Sequence, residues 1–271
     1  MTLEELGEFG LLAELERRGL ARGIEHDAAV VGGLVVTQDA LVEGVHFRFD
    51  LLSWRELGFR AAAVNVSDLS ASGAEPLALI VALGLPGETA VEDVVELYEG
   101  LNEAGVPVRG GDTTRADRVL LSVTALGTSA RVPGRAGARP GDLLVVTGPL
   151  GAAGAGFRAG RLPRPPLRLA EGKRLAAVAT AMLDLSDGLA PDAGHIAERS
   201  GCRLAIELDR VPLAAGATID DLSFGEDYEL LAATTDPLGF PVIGRCEEGE
   251  GVALTLNGEP FVLSGWDHFR T

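Results

Sequence analysis

Five segments of the chain set an aspartate at the end of an apolar run or inside an apolar helix pattern, and this feature constrains the fold most strongly. Asp39 comes shortly after the β-type run 34–37, and Asp184 directly follows the apolar residues 181–183. The other segments are residues 25–29, 65–68 and 110–114. A carboxylate at such a place is costly to desolvate unless it is hydrogen-bonded or bound to a metal ion. Several converging carboxylates would also repel one another, and Mg²⁺, which prefers carboxylates, water and phosphates, resolves both problems.

Taken alone, each aspartate could have a structural role instead of binding a metal ion. A single aspartate after a strand often caps a turn or a helix, as Asp187 would do before Gly188. The five segments together therefore carry more information than any one of them.

Predicted strands and amphipathic helices alternate along the whole chain. Helices are predicted over residues 3–18, from Ser53 or Trp54 towards Gly73, and over 92–104, 171–181 and 189–199. Strands are predicted over 28–31, 34–37, 77–85, 106–108, 119–128, 143–147, 182–185, 203–208, 228–233, 242–244 and 252–256, with a polar loop over 110–115 and a glycine-rich turn over 148–156. This alternation predicts an α/β or α+β fold. Residues 131–141 are rich in glycine, proline and arginine, which favours a division into domains 1–138 and 139–271.

The charge and the cysteines exclude several classes of function. The formal net charge is −17 and no basic run occurs, so we expect no nucleic-acid or membrane partner. The two cysteines, Cys202 and Cys246, form no CxxC pair, and no apolar run is long enough to cross a bilayer. We therefore expect a cytoplasmic protein, and an acidic chain that handles phosphates would need divalent cations.

Familiar phosphate-binding motifs are absent from the sequence. The single lysine, Lys173, stands in no GxxxxGK[ST] pattern, and the HRD loop of protein kinases does not occur. Residues 154–159 match GxGxxA, but prolines follow within ten residues, which favours a tight strand–helix turn over a dinucleotide site.

Longer strings of residues resemble one enzyme family over nearly the whole chain. In order they are TQDALVEGVHF (37–47), AAAVNVSDLSASGAEP (61–76), VRGGDTTR (108–115), LDLSDGLAPDAGHI (183–196), FGEDYELL (224–231) and GWDHF (265–269). They resemble the thiamine-monophosphate kinases, which share a superfamily with aminoimidazole ribonucleotide synthetase and selenophosphate synthetase. The resemblance implies a two-domain fold of the aminoimidazole ribonucleotide synthetase type, whose N-terminal sheet pairs across a homodimer. It also implies transfer of the γ-phosphoryl of ATP to thiamine monophosphate, with several Mg²⁺ ions.

The resemblance further implies roles for individual residues. The metal-binding positions are Asp27, Thr37, Gln38, Asp39, Asp68, Asp112, Asp184 and Asp187, of which Asp39 and Asp112 are the expected catalytic residues. The expected ATP contacts are Tyr98, Gly111, Arg135 and Ser186, and the expected substrate contacts are His46, Glu226 and Trp266. Phosphoryl transfer needs positioning and charge neutralisation, which such a set can supply.

Some positions depart from the family pattern. Glu25 and His26 stand where a glycine and an aspartate are usual, and Gln38 replaces a threonine or serine. The chain is also shorter around residues 157–180 and 214–223. Two alternatives therefore stay open: another ATP-dependent enzyme of the superfamily, and a catalytically weakened protein that binds nucleotide or thiamine phosphate.

Overall fold

The N-terminal half of the chain builds a five-stranded sheet with helices on one face. The computed structural model describes residues 2–21 and 26–266. The strands are β1 (Ala29–Val31), β2 (Leu34–Val42), β3 (Glu75–Leu85), β4 (Val108–Arg115) and β5 (Leu120–Thr128), in the order β1-β2-β5-β3-β4. Strands β3 and β4 are parallel and the other neighbours are antiparallel. The helices of this half are α1 (Leu3–Arg17), α2 (Trp54–Ala71) and α3 (Val91–Glu103).

Helix α2 is the central buried element of the molecule. Its start is set by a capping box, in which Ser53 and Glu56 satisfy each other's backbone N–H groups. It crosses α3 so closely that a Cβ atom at Gly58 would lie 1.9 Å from the carbonyl oxygen of Leu97. Gly100 on α3 meets the backbone of α2 with equal closeness. The crossing therefore requires glycine on both helices.

The second half of the chain builds a seven-stranded mixed sheet. Its strands are β6 (Leu143–Val146), β7 (Ala179–Asp184), β8 (Arg203–Glu207), β9 (Leu230–Thr234), β10 (Val242–Glu247), β11 (Gly251–Leu256) and β12 (Glu259–Phe261), in the order β12-β11-β8-β10-β6-β9-β7. Its helices are α4 (Ala152–Arg158), α5 (Leu169–Ala176) and α6 (Leu189–Ser200), and short 3-10 helices cover Leu208–Arg210 and Ile219–Ser223. The α/β class is confirmed, and the two sheets lie on either side of residue 138. The exact division into domains 1–138 and 139–271 stays a prediction.

Four local predictions are wrong. The strand predicted over 106–108 does not form as such, because residues 106 and 107 precede strand β4, which begins at Val108. The polar loop predicted over 110–115 belongs to strand β4, which pairs with β3 at the edge of the sheet. Most side chains of this edge strand are exposed, so it lacks the apolar pattern by which strands are recognised. The helix predicted over 171–181 ends at Ala176, because the alanine-rich residues after it pair with β9 as strand β7. The glycine-rich turn predicted over 148–156 is shorter than expected, because helix α4 begins at Ala152.

Helix α2 joins the two halves. It packs on the first sheet and on α3, and it also contacts α5, β7 and β9 of the second half. A small apolar core containing Ala71, Leu175, Met182 and Leu230 seals this junction. Polar residues of α2 are thereby brought close to the end of β7 and to the segment before β9.

Within the described ranges, we find no helix that is both long enough and apolar enough to cross a bilayer. Cys202 and Cys246 are both buried and free of disulfides.

Candidate active site

Three aspartates from different elements, one buried (Asp184) and two half-buried (Asp39 and Asp68), form a cluster at the junction of the two halves. Asp39 comes from β2, Asp68 from α2 and Asp184 from the end of β7. The Thr37 hydroxyl donates a hydrogen bond to the Asp68 carboxylate, and the carboxyl groups of Asp39 and Asp68 lie close enough to affect each other's pKa. Ser67 Oγ donates to Asp184 Oδ2 at 2.5 Å. We call Asp39, Asp68 and Asp184, with the adjacent Asp27, the carboxylate cluster.

Burial and mutual repulsion disfavour the charged forms of this cluster. Burial first, and then the charge of Asp27, raise the pKa of Asp39 to about 6, although its interaction with Asp68 limits the rise. The pKa of Asp184 rises to about 8, through burial first and then through Asp27 and Asp39. Burial, Asp39, Asp184 and Asp27 together raise the pKa of Asp68 well above its usual value. Four carboxyl groups thus lie together with too little positive charge around them.

Arg135 supplies part of the missing charge. Its Nη2 and Nε atoms donate to Asp27 Oδ1 at 2.6 and 2.9 Å. Although burial alone would lower the pKa of Arg135, Asp27, Asp184 and Asp192 outweigh that effect and raise it. One arginine cannot neutralise the whole cluster.

The donor set of the cluster fits a hard divalent cation. Its atoms are carboxylate oxygens and the hydroxyl oxygen of Thr37, without thiolate ligands, and this is the chemistry that Mg²⁺ favours. The raised pKa values of Asp39, Asp68 and Asp184 also favour a cation at this place, because a bound cation would supply the positive charge that these carboxylates lack.

The loop between β7 and α6 places Ser186 and Asp187 beside the cluster. Asp192, which is buried in the first turn of α6, accepts hydrogen bonds from the backbone N–H groups of Asp187 (3.0 Å) and Gly188 (3.1 Å). Ligand atoms of Asp187, Asp192 and His195 lie within 4.8 Å of one another. Burial, with Arg135 and Arg199, lowers the pKa of His195 to about 4, so its ring is neutral at pH 7.

The sequence interpretation missed Asp192. Its signal would have been the position four residues after Gly188, from which a side chain reaches back to the free N–H groups at a helix start.

The segment Gly225–Glu229 forms the opposite wall of the site. Glu226 has a positive φ of 57°, and its N–H donates to the carbonyl of Ser186 at 2.8 Å. Its Oε2 accepts a hydrogen bond from Nη1 of Arg60 on α2 at 3.0 Å, and Arg60 also donates to the carbonyl of Pro163 at 2.8 Å. Arg60 is 3% exposed. The sequence interpretation missed this arginine, although a charged residue inside the apolar pattern of a helix was a usable signal.

Two neighbours of Glu226 have structural partners. Asp227 accepts hydrogen bonds from the N–H groups of Gly151 (2.7 Å) and Ala153 (3.4 Å), at the start of α4. Burial raises its pKa to about 6, and these hydrogen bonds limit the rise. Glu229 is held by Nε and Nη2 of Arg168 at 2.7 and 2.5 Å. These contacts fix the segment from which Glu226 and Tyr228 extend.

Trp266 and His46 lie at other edges of the described structure. The backbone N–H of Trp266 donates to the carbonyl of Asp187 at 3.1 Å, and its side chain is 46% exposed. His46 lies in the turn after β2, where its Nδ1 accepts a hydrogen bond from the N–H of Val42 at 3.0 Å. Trp266 is thus attached to the loop that carries Asp187.

The structure does not bring Gln38 and Asp112 to the carboxylate cluster within one chain. Gln38 lies on the outer face of the first sheet, where its amide is hydrogen-bonded to Ser122 and Thr124. Asp112 on β4 is three strands away from β2, which corresponds to about 14 Å at the usual strand spacing.

Two expected ATP contacts also lie in this half of the chain. Gly111 packs against β3 so closely that a Cβ atom there would lie 1.8 Å from the carbonyl oxygen of Val81. Tyr98 on α3 is half-buried against the core of the first sheet.

Comparison with known proteins gives consistent matches over the chain. A family profile described as AIR synthase related protein, N-terminal domain, matches residues 25–129. The thiamine-monophosphate kinase of Aquifex aeolicus is 34% identical, covering 99% of this chain and 100% of that protein. The thiamine-monophosphate kinase of Mycobacterium tuberculosis strain H37Rv is 36% identical, covering 99% and 93%. A solved structure described as AaThiL complexed with AMPPCP and TMP matches with a TM-score of 0.90 and 34% identity, covering 99% of each chain.

Proposed function

The chain belongs to the thiamine-monophosphate kinase family, and from this premise we propose that it transfers the γ-phosphoryl of ATP to thiamine monophosphate, giving thiamine diphosphate and ADP. The observation that carries the proposal is the carboxylate cluster, which both halves of the chain build at their junction and which requires cations. Phosphoryl transfer needs positioned phosphates and neutralised charge more than it needs covalent chemistry. A fold relative with bound AMPPCP, an ATP analogue, supports ATP as the co-substrate.

We propose Mg²⁺ as the metal. Thr37, Asp39, Asp68 and Asp184 would hold it, with Asp27 and Asp187 as further ligands. When bound, the metal would neutralise charge on the phosphates of ATP and of the acceptor. The protein side chains align the phosphates and exclude water from the junction of the two halves.

The remaining contacts are proposals with separate structural support. We propose that Arg135 and Ser186, beside the cluster, contact the phosphates of ATP, and that Tyr98 and Gly111 contact ATP from the first sheet. For thiamine monophosphate we propose His46, Glu226 and Trp266. Arg60 engages Oε2 of Glu226, and no partner of Oε1 occurs among residues 2–21 and 26–266, so Oε1 is available to a cationic ring.

We also propose a homodimer formed by the outer face of the first sheet. Val36, Ile80 and Leu126 are half-buried on this face, and Leu120 is 40% exposed. Such an apolar sheet face favours a second copy of the chain. Gln38 lies on the same face and Asp112 on its edge strand, so we expect these two residues to act at the subunit interface. We propose the cytoplasm as the compartment, in line with the two free thiols.

The test is an assay of both products. Purified protein is incubated with ATP, Mg²⁺ and thiamine monophosphate, and thiamine diphosphate and ADP are quantified against samples without acceptor. We expect equal amounts of both products, loss of activity in Asp39→Asn, and full activity in Asp50→Asn, whose carboxylate is exposed and pairs with Arg48. Binding of ATP without turnover would contradict the proposal and favour a weakened binding protein. Release of inorganic phosphate with another acceptor would favour a different enzyme of the superfamily.

A further inference from the structure

Tyr228 is held in a backbone conformation that bulky residues rarely adopt. Its φ is 51°, and Glu226 and Gly225 before it have φ values of 57° and 79°. A bulky residue in this region is strained, and such a conformation persists where the surroundings impose it, often at functional sites. Here the surroundings are evident, because the N–H of Tyr228 donates to the carbonyl of Leu185 at 2.9 Å. Tyr228 is therefore fixed against the loop that follows Asp184.

The position of Tyr228 lies between the two ends of the proposed site. On one side, Arg60 of α2 holds Glu226, and on the other Ser67 of α2 holds Asp184. Arg60 and Ser67 are seven residues apart, which is about 10 Å along a helix. Tyr228 follows Glu226 by two residues and precedes by two the strand residue Leu230, which pairs with Asp184. The charges that act on its phenol are those of Glu226 and Arg60 at the substrate end and of Asp39 and Asp184 in the carboxylate cluster, so its side chain lies between the two.

The hydroxyl group of Tyr228 lacks a protein partner. The residue is 8% exposed, yet its hydroxyl makes no hydrogen bond with the rest of chain segments 2–21 and 26–266. Among the described residues, Asn65 Oδ1 is the side-chain polar atom that is both fully buried and without a hydrogen-bond partner. The phenolic oxygen of Tyr228 also has no partner but is not in that class, so it is accessible to solvent. A buried tyrosine usually satisfies its O–H group. An open and unpaired hydroxyl at this place is available to a ligand.

Electrostatics define which ligand this hydroxyl suits. Burial raises the pKa of Tyr228 well above its usual value, and Glu226, Asp39 and Asp184 raise it further. The phenol is therefore neutral at pH 7 and acts as a hydrogen-bond donor. In this site the hydroxyl lies between Glu226, which we propose binds a cationic ring, and the carboxylate cluster, which we propose binds metal. The anionic group of a ligand that fits this place is a phosphate.

We propose that Tyr228 is a further substrate-contacting residue, whose hydroxyl donates a hydrogen bond to the phosphate of the acceptor. This inference rests on the proposed function, because it takes thiamine monophosphate as the acceptor. Glu226 then binds the organic part of the molecule, Tyr228 binds its phosphate, and the carboxylate cluster lies beyond that phosphate.

The test compares two ligands that differ by the phosphate alone. The variant Tyr228→Phe keeps the ring and removes the oxygen. We expect the affinity for thiamine monophosphate to fall about tenfold, as for the loss of one hydrogen bond to a charged group. Calorimetric titrations should give unchanged affinities for thiamine, which has no phosphate, and for ATP. Thermal unfolding of the same variant reports whether it is folded.

Each outcome has a definite meaning. Equal affinity of wild type and Tyr228→Phe for thiamine monophosphate would overturn the inference and leave the proposed function intact. An equal loss of affinity for thiamine and thiamine monophosphate would also overturn it, since the hydroxyl would then serve the organic part or the packing. If wild-type protein neither binds nor phosphorylates thiamine monophosphate, the proposed function fails and this inference fails with it.

Discussion

Removal of one ionisable group from the carboxylate cluster should stabilise the metal-free protein while abolishing its activity. Asp184 is the member to change, because its pKa is raised to about 8, mainly by burial. The substitution Asp184→Asn preserves the shape of the side chain and an oxygen that can accept the hydrogen bond of Ser67. It removes a group that resists ionisation in the folded state.

The size of the effect follows from the shift of the pKa. A carboxyl group whose pKa is raised on folding contributes stability below its usual pKa, and that contribution is lost as the pH rises towards the folded value. At pH 7, about 3 pH units above the usual pKa of Asp, the penalty in wild type is about 4 kcal/mol at about 1.4 kcal/mol per unit. At pH 5 it is about 1.5 kcal/mol. The advantage of Asp184→Asn should therefore shrink by about 3 kcal/mol between pH 7 and pH 5.

The assay is urea unfolding in EDTA at both pH values, followed by circular dichroism. Asp142→Asn is the matched control, because Asp142 is a buried carboxylate whose Oδ2 accepts hydrogen bonds from Thr180 Oγ1 and the N–H of Arg139. We expect this control to lower the free energy of unfolding. If Asp184→Asn destabilised the protein, or had the same effect at pH 5 and pH 7, the electrostatic reasoning would be refuted.

Three further predictions concern packing, an ion pair and the metal. Gly58→Ala should lower the free energy of unfolding by about 1–3 kcal/mol, because its Cβ would overlap α3. Gly194→Ala, in a helix position with open space, should raise it by about 0.5–1 kcal/mol; equal effects in chemical denaturation would argue against the helix crossing. Arg168→Met should cost about 3 kcal/mol, because Glu229 would stay buried without its partner; a shift in melting temperature below 2 °C would contradict this. EDTA should stop formation of thiamine diphosphate and excess Mg²⁺ should restore it, whereas turnover in EDTA would exclude the metal-dependent mechanism.

Local signals in the sequence were sufficient for most elements of the fold. The apolar run that became β3 and the amphipathic pattern that became α6 lie within a few residues of their predicted bounds. The reason is that periodic burial and chain reversal at glycine act over short stretches of chain. Strand β4 and the end of α5 were predicted wrongly because pairing between distant segments, and not the local pattern, decides their structure. Strand β4 pairs with β3, and the residues after α5 pair with β9 as strand β7.

The candidate site divides in the same way. The resemblance pointed to Asp39, Asp68 and Asp184, and the structure brings these residues together. Gln38 and Asp112 carry the same implied role, yet a single chain keeps them away from the cluster. Gln38 follows the alternation of a strand to the outer face of the sheet, and Asp112 is separated by the strand order.

Arg60 and Tyr228 are the residues that only the tertiary structure could single out. Arg60 acquires its role because α2 passes between the two halves and meets Glu226, which is 166 positions later in the chain. The hydroxyl of Tyr228 is accessible at the same junction, where the residue has a left-handed backbone conformation and its N–H is hydrogen-bonded to the carbonyl of Leu185. Sequence thus determines which chemical groups the chain carries and which stretches become helix or strand. Their convergence depends on contacts between distant segments, and the free energy of those contacts exists only after the two halves have packed together.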